Sequence, residues 1–585
     1  VPLFLEELTK AVLEAPPAAR AARLAVPATL QASLMARLDR LPAARLVAPI
    51  AAAIGREFPH ALLAAVAGLA APRLLQGLDE LVTAGIAYRR GTPPDAVYTF
   101  KHALVQDLAY GTLVKARRRE VHRHIGETLR DRLPDRAAAE PEVVAHHFAA
   151  AGLLDAAVEW WSKAGELALR RSAFSEAIAH LERALALLAG RDPEPAQRQA
   201  RLHLQITYGN ALRMARGFGA PEATAAFACA LDNAATVVEM PERCAAYYGL
   251  WTGSYGRAEL APMERLAAAF LRDTASRPGS GEAATAHRVY AMTCWFRGEF
   301  LEARTYLERS LAICDSTRDR DLAFRFGVDV DVAAMADLAL VLWPLGAVDR
   351  ARSLAERAVA QARREGHMPS IAYAHAYAAN IAMMGRDRRQ AAPHAEALIA
   401  LAGELEMPLW LALGRFLRAW TTWHTGHPSD GIARMHASVA AMDTHRRRIF
   451  RPLISTLLAE AEAEAGQPRR GLAIADAAIA SIEETGQRWF LAEALRARGI
   501  LLRACGHLPA ATEEALARAI RVARQQSASL FELRAATILA RLRGSTGVRW
   551  GTPSLPMPMH AALREGVDGP YADGIGSLLE PTSAG

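Results

Sequence analysis

Six glycines mark out a period along the second half of the chain: Gly298, Gly346, Gly385, Gly426, Gly466 and Gly506. The last five stand 39, 41, 40 and 40 residues apart. Each lies between two stretches that read as helix. A small residue follows about five positions later in most units: Ala303, Ala351, Gly431, Gly471 and Ala511. A glycine permits the tight turn, and the small residue lets the returning helix cross the first one closely. A chain built this way stacks helical hairpins instead of wrapping one large core.

The pattern predicts a mainly α protein with an α-solenoid of tetratricopeptide-like hairpins over 133–543. Residues 157–188 fit the unit best, with Trp161, Ala164, Gly165 and Ala168 on the first helix and Ala177, Leu181 and Ala184 on the second. About nine hairpins are expected between 142 and 525, with 205–275 the least regular. The spacing exceeds the usual repeat of about 34 residues, so longer helices or loops are expected. Such stacks form a superhelix with a concave groove, whose ordinary use is to bind a peptide or a partner protein.

Ahead of the repeats the pattern changes. Residues 1–15 read as an amphipathic helix stopped by Pro16 and Pro17, and 1–26 form one opening segment. Helices are predicted near 43–54, 58–68 and 71–84, the last closed by Gly85. The alternating segments 85–90 and 96–101 read as a short β-hairpin around a Gly-Thr-Pro-Pro-Asp turn. An amphipathic helix follows directly, with His102 at the strand-to-helix join. Several helices, a hairpin and another helix predict a winged-helix-like domain over 27–132. The segment 544–585 is rich in Pro and Gly and is expected to be disordered.

Composition excludes several classes. With 52% hydrophobic and 22% charged residues the chain is globular. No apolar run approaches the roughly 18 residues of a membrane span, so no membrane partner is expected. Five cysteines without a C-x-x-C pair read as reduced thiols of a cytoplasmic protein. The net charge of +7 is nearly all arginine. Arginine spread along helices is a solvated face more often than a nucleic-acid footprint, and DNA is not expected as a partner.

Catalytic motifs are absent. A P-loop needs Lys followed by Ser or Thr, and the four lysines precede Ala11, His102, Ala116 and Ala164. No zinc-type Cys/His spacing, H-E-x-x-H or G-x-S-x-G occurs. His122, His124, His146 and His147 read as surface or packing histidines, because neighbours on a helix diverge by about 100°. The basic run Lys115, Arg117, Arg118, Arg119 and Arg123 pairs most simply with Glu120 and Glu127.

Several segments, in order, resemble one group. These are VPLFLEELT, VPATLQASLMARLDRLP, IAAAIGREF, LDELVTAGIAYRRG and FKHALVQDLAY, then AHHFAAAGLLDAAVEWWSKAG and RSAFSEAIAHLERALALL. They resemble bacterial signal-transduction ATPases with numerous domains (STAND, AAA-type), in the form fused to class III adenylate/guanylate cyclases. The resemblance spans most of 1–540 and is most specific up to about 190. It implies that ATP or ADP and Mg are held by an ATPase core before Val1, with no cofactor in this chain. Pro2 would match the family's proline near the adenine. His102, in Lys101-His102-Ala103-Leu104-Val105, would match a phosphate-sensing histidine, although Ala103 stands where the motif has Asp.

The expected function is regulatory: the signal-sensing, protein-interaction part of an ATP-dependent switch, probing a protein or peptide with its repeats and controlling a cyclase of the same polypeptide. Two alternatives stand beside it, a LuxR-type transcription regulator fragment and a free-standing repeat scaffold. No catalytic residue is assigned within the chain.

Overall fold

The structure, a computed structural model, describes residue 35 and residues 37–189, 195–234, 240–315, 317–423, 428–444 and 446–545. The helix expected over 1–15 with Pro2, the tail beyond 545 and Gly426 lie outside the described residues. The chain splits into two compact units, Val1–Ala164 with His180–Gly190, and Gly165–Ala179 with Arg191–Gly585.

In the first unit, helix Ala44–Ile54 is the buried centre. Val47, Ala48 and Ala51 are fully enclosed, and the helix packs against Ala71–Thr83, Ala103–Gly111 and Lys115–Arg132. Its own N-cap residue, Ala43, has no side-chain oxygen to offer. Glu80 supplies one from the neighbouring helix, accepting from the Ala43 and Ala44 N–H groups at 3.0 and 2.8 Å. A carboxylate there also favours the positive end of the helix dipole.

Three short strands complete the unit: β1 (Glu57–Pro59), β2 (Ala87–Arg90) and β3 (Val97–Phe100), antiparallel in the order β1-β3-β2. The expected hairpin is therefore the β2–β3 part of a larger sheet. The helix expected over 58–68 is corrected: the chain is extended to Pro59 and helical only over His60–Ala67. Cross-strand packing decides this. Phe58 pairs with Tyr98, the rings stack at 5.7 Å, and both are fully buried.

The second unit is an α-solenoid. Hairpins follow in order: Pro195–Arg216 with Pro221–Ala234, Met240–Arg257 with Leu260–Thr274, and Gly281–Arg297 with Phe300–Ile313. Val330–Leu342 pairs with Val348–Glu365, Met368–Met384 with Arg388–Glu404, and Pro408–Thr422 with Pro428–Thr444. Arg451–Glu464 with Pro468–Thr485 and Leu491–Ala504 with Pro509–Gln525 complete the series, and Ser529–Ser545 closes it. Helices Leu154–Arg170 and Phe174–Leu188 each straddle the division between the units.

Within a hairpin the two helices bury different shares of surface. The first helices pack on one another as well as on their partners, so several are buried nearly all round. In Val330–Leu342 every residue but Asp331 is buried. The second helices bury one stripe: Ala351, Leu354, Ala355, Ala358 and Ala362 in Val348–Glu365, with arginines and acids on the other face.

At the turns, Gly298, Gly346, Gly466 and Gly506 adopt positive φ between 77° and 89°. Gly385 does not: its φ is −76°, and Arg386 takes the left-handed position at 54°. What Gly385 provides is closeness, because a Cβ there would meet the Trp343 ring at 3.0 Å. Gly298 and Gly346 stand further apart than the others because a short helix, Leu322–Phe326, is inserted between their hairpins.

Candidate functional site

The first helices of successive hairpins turn their aromatic and arginine side chains toward one place. On Met240–Arg257, Tyr248, Trp251 and Tyr255 share a face at helical spacing. Gly281–Arg297 brings Arg288, Val330–Leu342 brings Asp337, and Met368–Met384 brings Tyr373 and Tyr377. Arg213 lies in the last turn of Pro195–Arg216 near Phe218, Trp410 in the first turn of Pro408–Thr422, and Arg447 with Phe450 comes from the connector before Arg451.

Polar contacts organise the cluster. Arg288 Nε donates to Asp337 Oδ2 at 2.7 Å, and its two Nη groups donate to the Tyr248 and Tyr373 hydroxyls at 3.2 and 3.0 Å. The Tyr373 hydroxyl donates to Asp337 Oδ1 at 2.7 Å. Arg213 donates to the Thr252 hydroxyl, Asn210 Oδ1 and the Phe326 carbonyl. The Tyr373 and Tyr377 rings stack at 4.0 Å, and the Tyr255 and Tyr377 hydroxyls meet at 3.4 Å.

Arg447 is different. It is 5% exposed, and its guanidinium lies over the Trp410 and Phe450 rings at 5.2 and 5.4 Å. Its Nη1 is buried without a hydrogen-bond partner, and it joins no ion pair among the described residues. Burial pushes its pKa down to about 10. The remaining interior here is a cavity of ≈ 30 Å³, lined by Arg447, Tyr255, Tyr373, Tyr377, Trp410 and Phe450 among others. The open groove expected of the repeat is closed at this level. Aromatic side chains from far-separated hairpins fill it, as where Trp295 stacks on Trp489 at 4.4 Å.

The sequence-predicted site residues lie elsewhere. His102 caps helix Ala103–Gly111 from the end of β3 with extended backbone (φ −131°), and its carbonyl accepts from the Val105 N–H at 3.1 Å. Its Nε2 is buried with no hydrogen-bond partner. Of the four histidines read as surface or packing residues, His122, His146 and His147 are drawn together in the first unit. His122 and His147 are buried with their Nδ1 atoms 2.8 Å apart, and the Tyr110 hydroxyl meets His122 Nε2 at 2.9 Å. The long sequence separation hid this contact.

Burial lowers the pKa of His122 from 6.5 to about 4 and that of His147 to about 3, with His146, Arg118 and Arg136 adding repulsion. Between those values and 6.5 an unfolded chain binds more protons than the folded one. The stability they contribute is therefore complete above pH 6.5 and is lost as pH falls toward 4. Hydrogen-exchange protection of Lys115–Arg132 is expected to fall through this window, and less steeply in His147→Phe. An identical acid limb in the variant would contradict the assignment.

The described residues also group Cys294, Glu299 and Glu302 within 4.8 Å. Burial pushes the Cys294 thiol up to about 12, Arg297 holds Glu299 and the Tyr290 hydroxyl holds Glu302. A thiol so reluctant to ionise makes a poor metal ligand. The other cysteines form no disulfide.

Comparison with known proteins gives partial likenesses. No family model matches the chain. Over 547 residues, 92% of the chain, it is 25% identical to an uncharacterized protein of Rhizobium meliloti (strain 1021). It spans about half that relative's length, 53%. Among solved structures, a Rap protein complexed with competence and sporulation factor aligns at TM-score 0.46 and 11% identity, over 63% of this chain and 98% of that one. A STAND protein with a tetratricopeptide repeat sensor from Pyrococcus horikoshii aligns at 0.33 and 12% identity, over 76% and 67%. The APC/C hetero-tetramer Cut9–Hcn1 aligns at 0.30 and 13% identity, over 80% and 94%. Scores this low carry no role across, and the solenoid assignment rests on the chain's own hairpins.

Proposed function

We propose that this chain is the regulatory, signal-sensing part of an ATP-dependent switch protein, with its first unit a winged-helix-like domain and its second a sensor. The observation that carries the reading is the convergence of inner helices from many hairpins on buried arginines and aromatic rings. Aromatic side chains and arginine are what a recognition site uses. A ligand that rearranges these inner helices would shift many hairpins together, which is how a sensor couples to a distant domain.

The sheet order β1-β3-β2, with helices before and between the strands, supports the winged-helix reading of the first unit. The ordered segments that resemble cyclase-linked STAND ATPases supply the ATP-dependent part. In that reading His102 senses nucleotide phosphates, Pro2 lies near the adenine, and the ATPase and cyclase are domains of the same polypeptide. A bound protein or peptide is the signal, and the protein acts in the cytoplasm.

The test is the coding sequence upstream of Val1 together with one variant. Walker A and Walker B motifs and a cyclase domain are expected there. An ATP-dependent change in cyclase output is expected to be lost in His102→Ala at unchanged folding. An upstream sequence with no nucleotide-binding core would overturn the switch reading, and undisturbed switching in the variant would remove His102 from it.

A further inference from the structure

Four arginines of the described second unit are buried almost completely: Arg213, Arg288, Arg447 and Arg496. Two of them face carboxylates. Arg288 has Asp337, and Arg496 has Glu493 and Glu460, each within 3.0 Å. Arg213 has no carboxylate and its Nε is buried without a partner, but both its Nη groups donate to neutral oxygens. Arg447 alone of the four combines a buried, unpartnered Nη1 with a wall of the cavity. Two of the residues lining that cavity are cationic, Arg288 and Arg447, and none is acidic; Asp337 lies behind them, paired with Arg288.

A buried cation without a counter-charge is costly, so a fold that keeps one holds it for something. The groups around it define the guest. Arg447 offers an N–H edge, and a guanidinium is suited to a carboxylate. The Tyr255 and Tyr377 hydroxyls hold two protons and share one contact at 3.4 Å, so one proton remains to donate. The Trp410 and Phe450 rings enclose the guanidinium and exclude water, which strengthens a charge-assisted bond. The space beside Arg447 is small, so any organic acid must part the aromatic walls to seat its charged head there, and Asp337 opposes a second negative charge.

We propose that the cavity beside Arg447 is a receptor for a carboxylate, held by Arg447 and a tyrosine hydroxyl between aromatic rings. This deepens the sensor reading by giving its ligand a chemistry, yet it stands or falls without the nucleotide half of that reading. The carboxylate belongs to a small organic acid or to a peptide, through an acidic side chain or the C-terminus. Binding of the anion supplies the missing counter-charge and draws Met240–Arg257, Met368–Met384 and the 446–450 connector together.

Calorimetric titration at constant ionic strength tests it, with chloride as the reference anion. The probes are benzoate, a short peptide with a free C-terminus, its amidated form, and an amidated peptide carrying glutamate. Saturable binding of at least one carboxylate probe is expected, weakened about tenfold to a hundredfold in Arg447→Met. Arg498→Met, on an exposed pair with Asp476, is expected to bind as the wild type does. The pattern across the probes separates a free acid from a C-terminus and from a side chain. If Arg447→Met does not fold, Arg447→Lys keeps the charge without the fork and is expected to bind measurably but more weakly. No saturable binding by the folded wild type, or equal affinity in wild type and the Arg447 variant, would overturn the proposal.

Discussion

Asp337→Ala is expected to destabilise the second unit by about 3–5 kcal/mol, the cost of stranding a buried charge. Asp337 is fully enclosed and accepts from both Arg288 and Tyr373. Burial pushes its carboxyl up while the Arg288 guanidinium beside it pulls it back, and the pair holds together because both charges are present. Without the carboxylate, Arg288 keeps only two hydroxyl partners, which accept through lone pairs and carry no charge. The loss should therefore be repaired in part by removing the other charge. The double variant Asp337→Ala, Arg288→Met is expected to melt higher than Asp337→Ala alone. A double variant that loses the sum of the two single losses would show that packing, not charge, sets the cost.

Trp295→Ala is expected to cost a similar amount, about 3–5 kcal/mol, and to act at a distance. Trp295 is fully buried and stacks on Trp489, with Phe450 5.9 Å away. A stack in which each hairpin touches only its neighbours loses stability locally when one unit is weakened. Here hairpins far apart in sequence share one aromatic interior, so helix Leu491–Ala504 is expected to lose hydrogen-exchange protection together with Gly281–Arg297. Loss confined to residues 281–313 would mean that the interior contacts contribute little.

Much of the solenoid is legible because its turns use glycine and its helix crossings use small residues. Gly431 and Gly471 show the second use: a Cβ would meet Trp423 at 2.3 Å and the Ala459 carbonyl at 2.4 Å. The same physics explains where legibility fails. Residues 205–275 read as the least regular part of the repeat, yet their described residues fall into the first two hairpins of the second unit. The first turn keeps a glycine, Gly217 at φ 98°, but the second has Ala258 at 61°, and Gly209 and Gly249 lie on helix faces where both receive the Phe227 ring. Strand β1 is three residues long and carries no readable alternation. Only its partner, Tyr98, makes it a strand.

The candidate site was less legible than the fold. Arg447 stands in the run Arg446-Arg447-Arg448, and such a run reads as solvated. Its burial follows from the connector lying against Met240–Arg257, where the Arg448 N–H donates to the Gly256 carbonyl at 2.8 Å. No local pattern encodes that contact. The apolar residues after it, Ile449-Phe450, are the one local hint that the run turns inward. The histidine pair was hidden for the same reason, since His122 and His147 meet only through the packing of two helices.

The central claim is that Arg447 is kept for recognition and not for stability. The most direct measurement is the melting temperature of Arg447→Met beside wild type in buffer free of carboxylates. Methionine keeps most of the stem and removes the uncompensated charge. The account predicts a melting temperature equal to or above that of wild type. A fall as large as that of Asp337→Ala would contradict it, and would make Arg447 a structural member of the core.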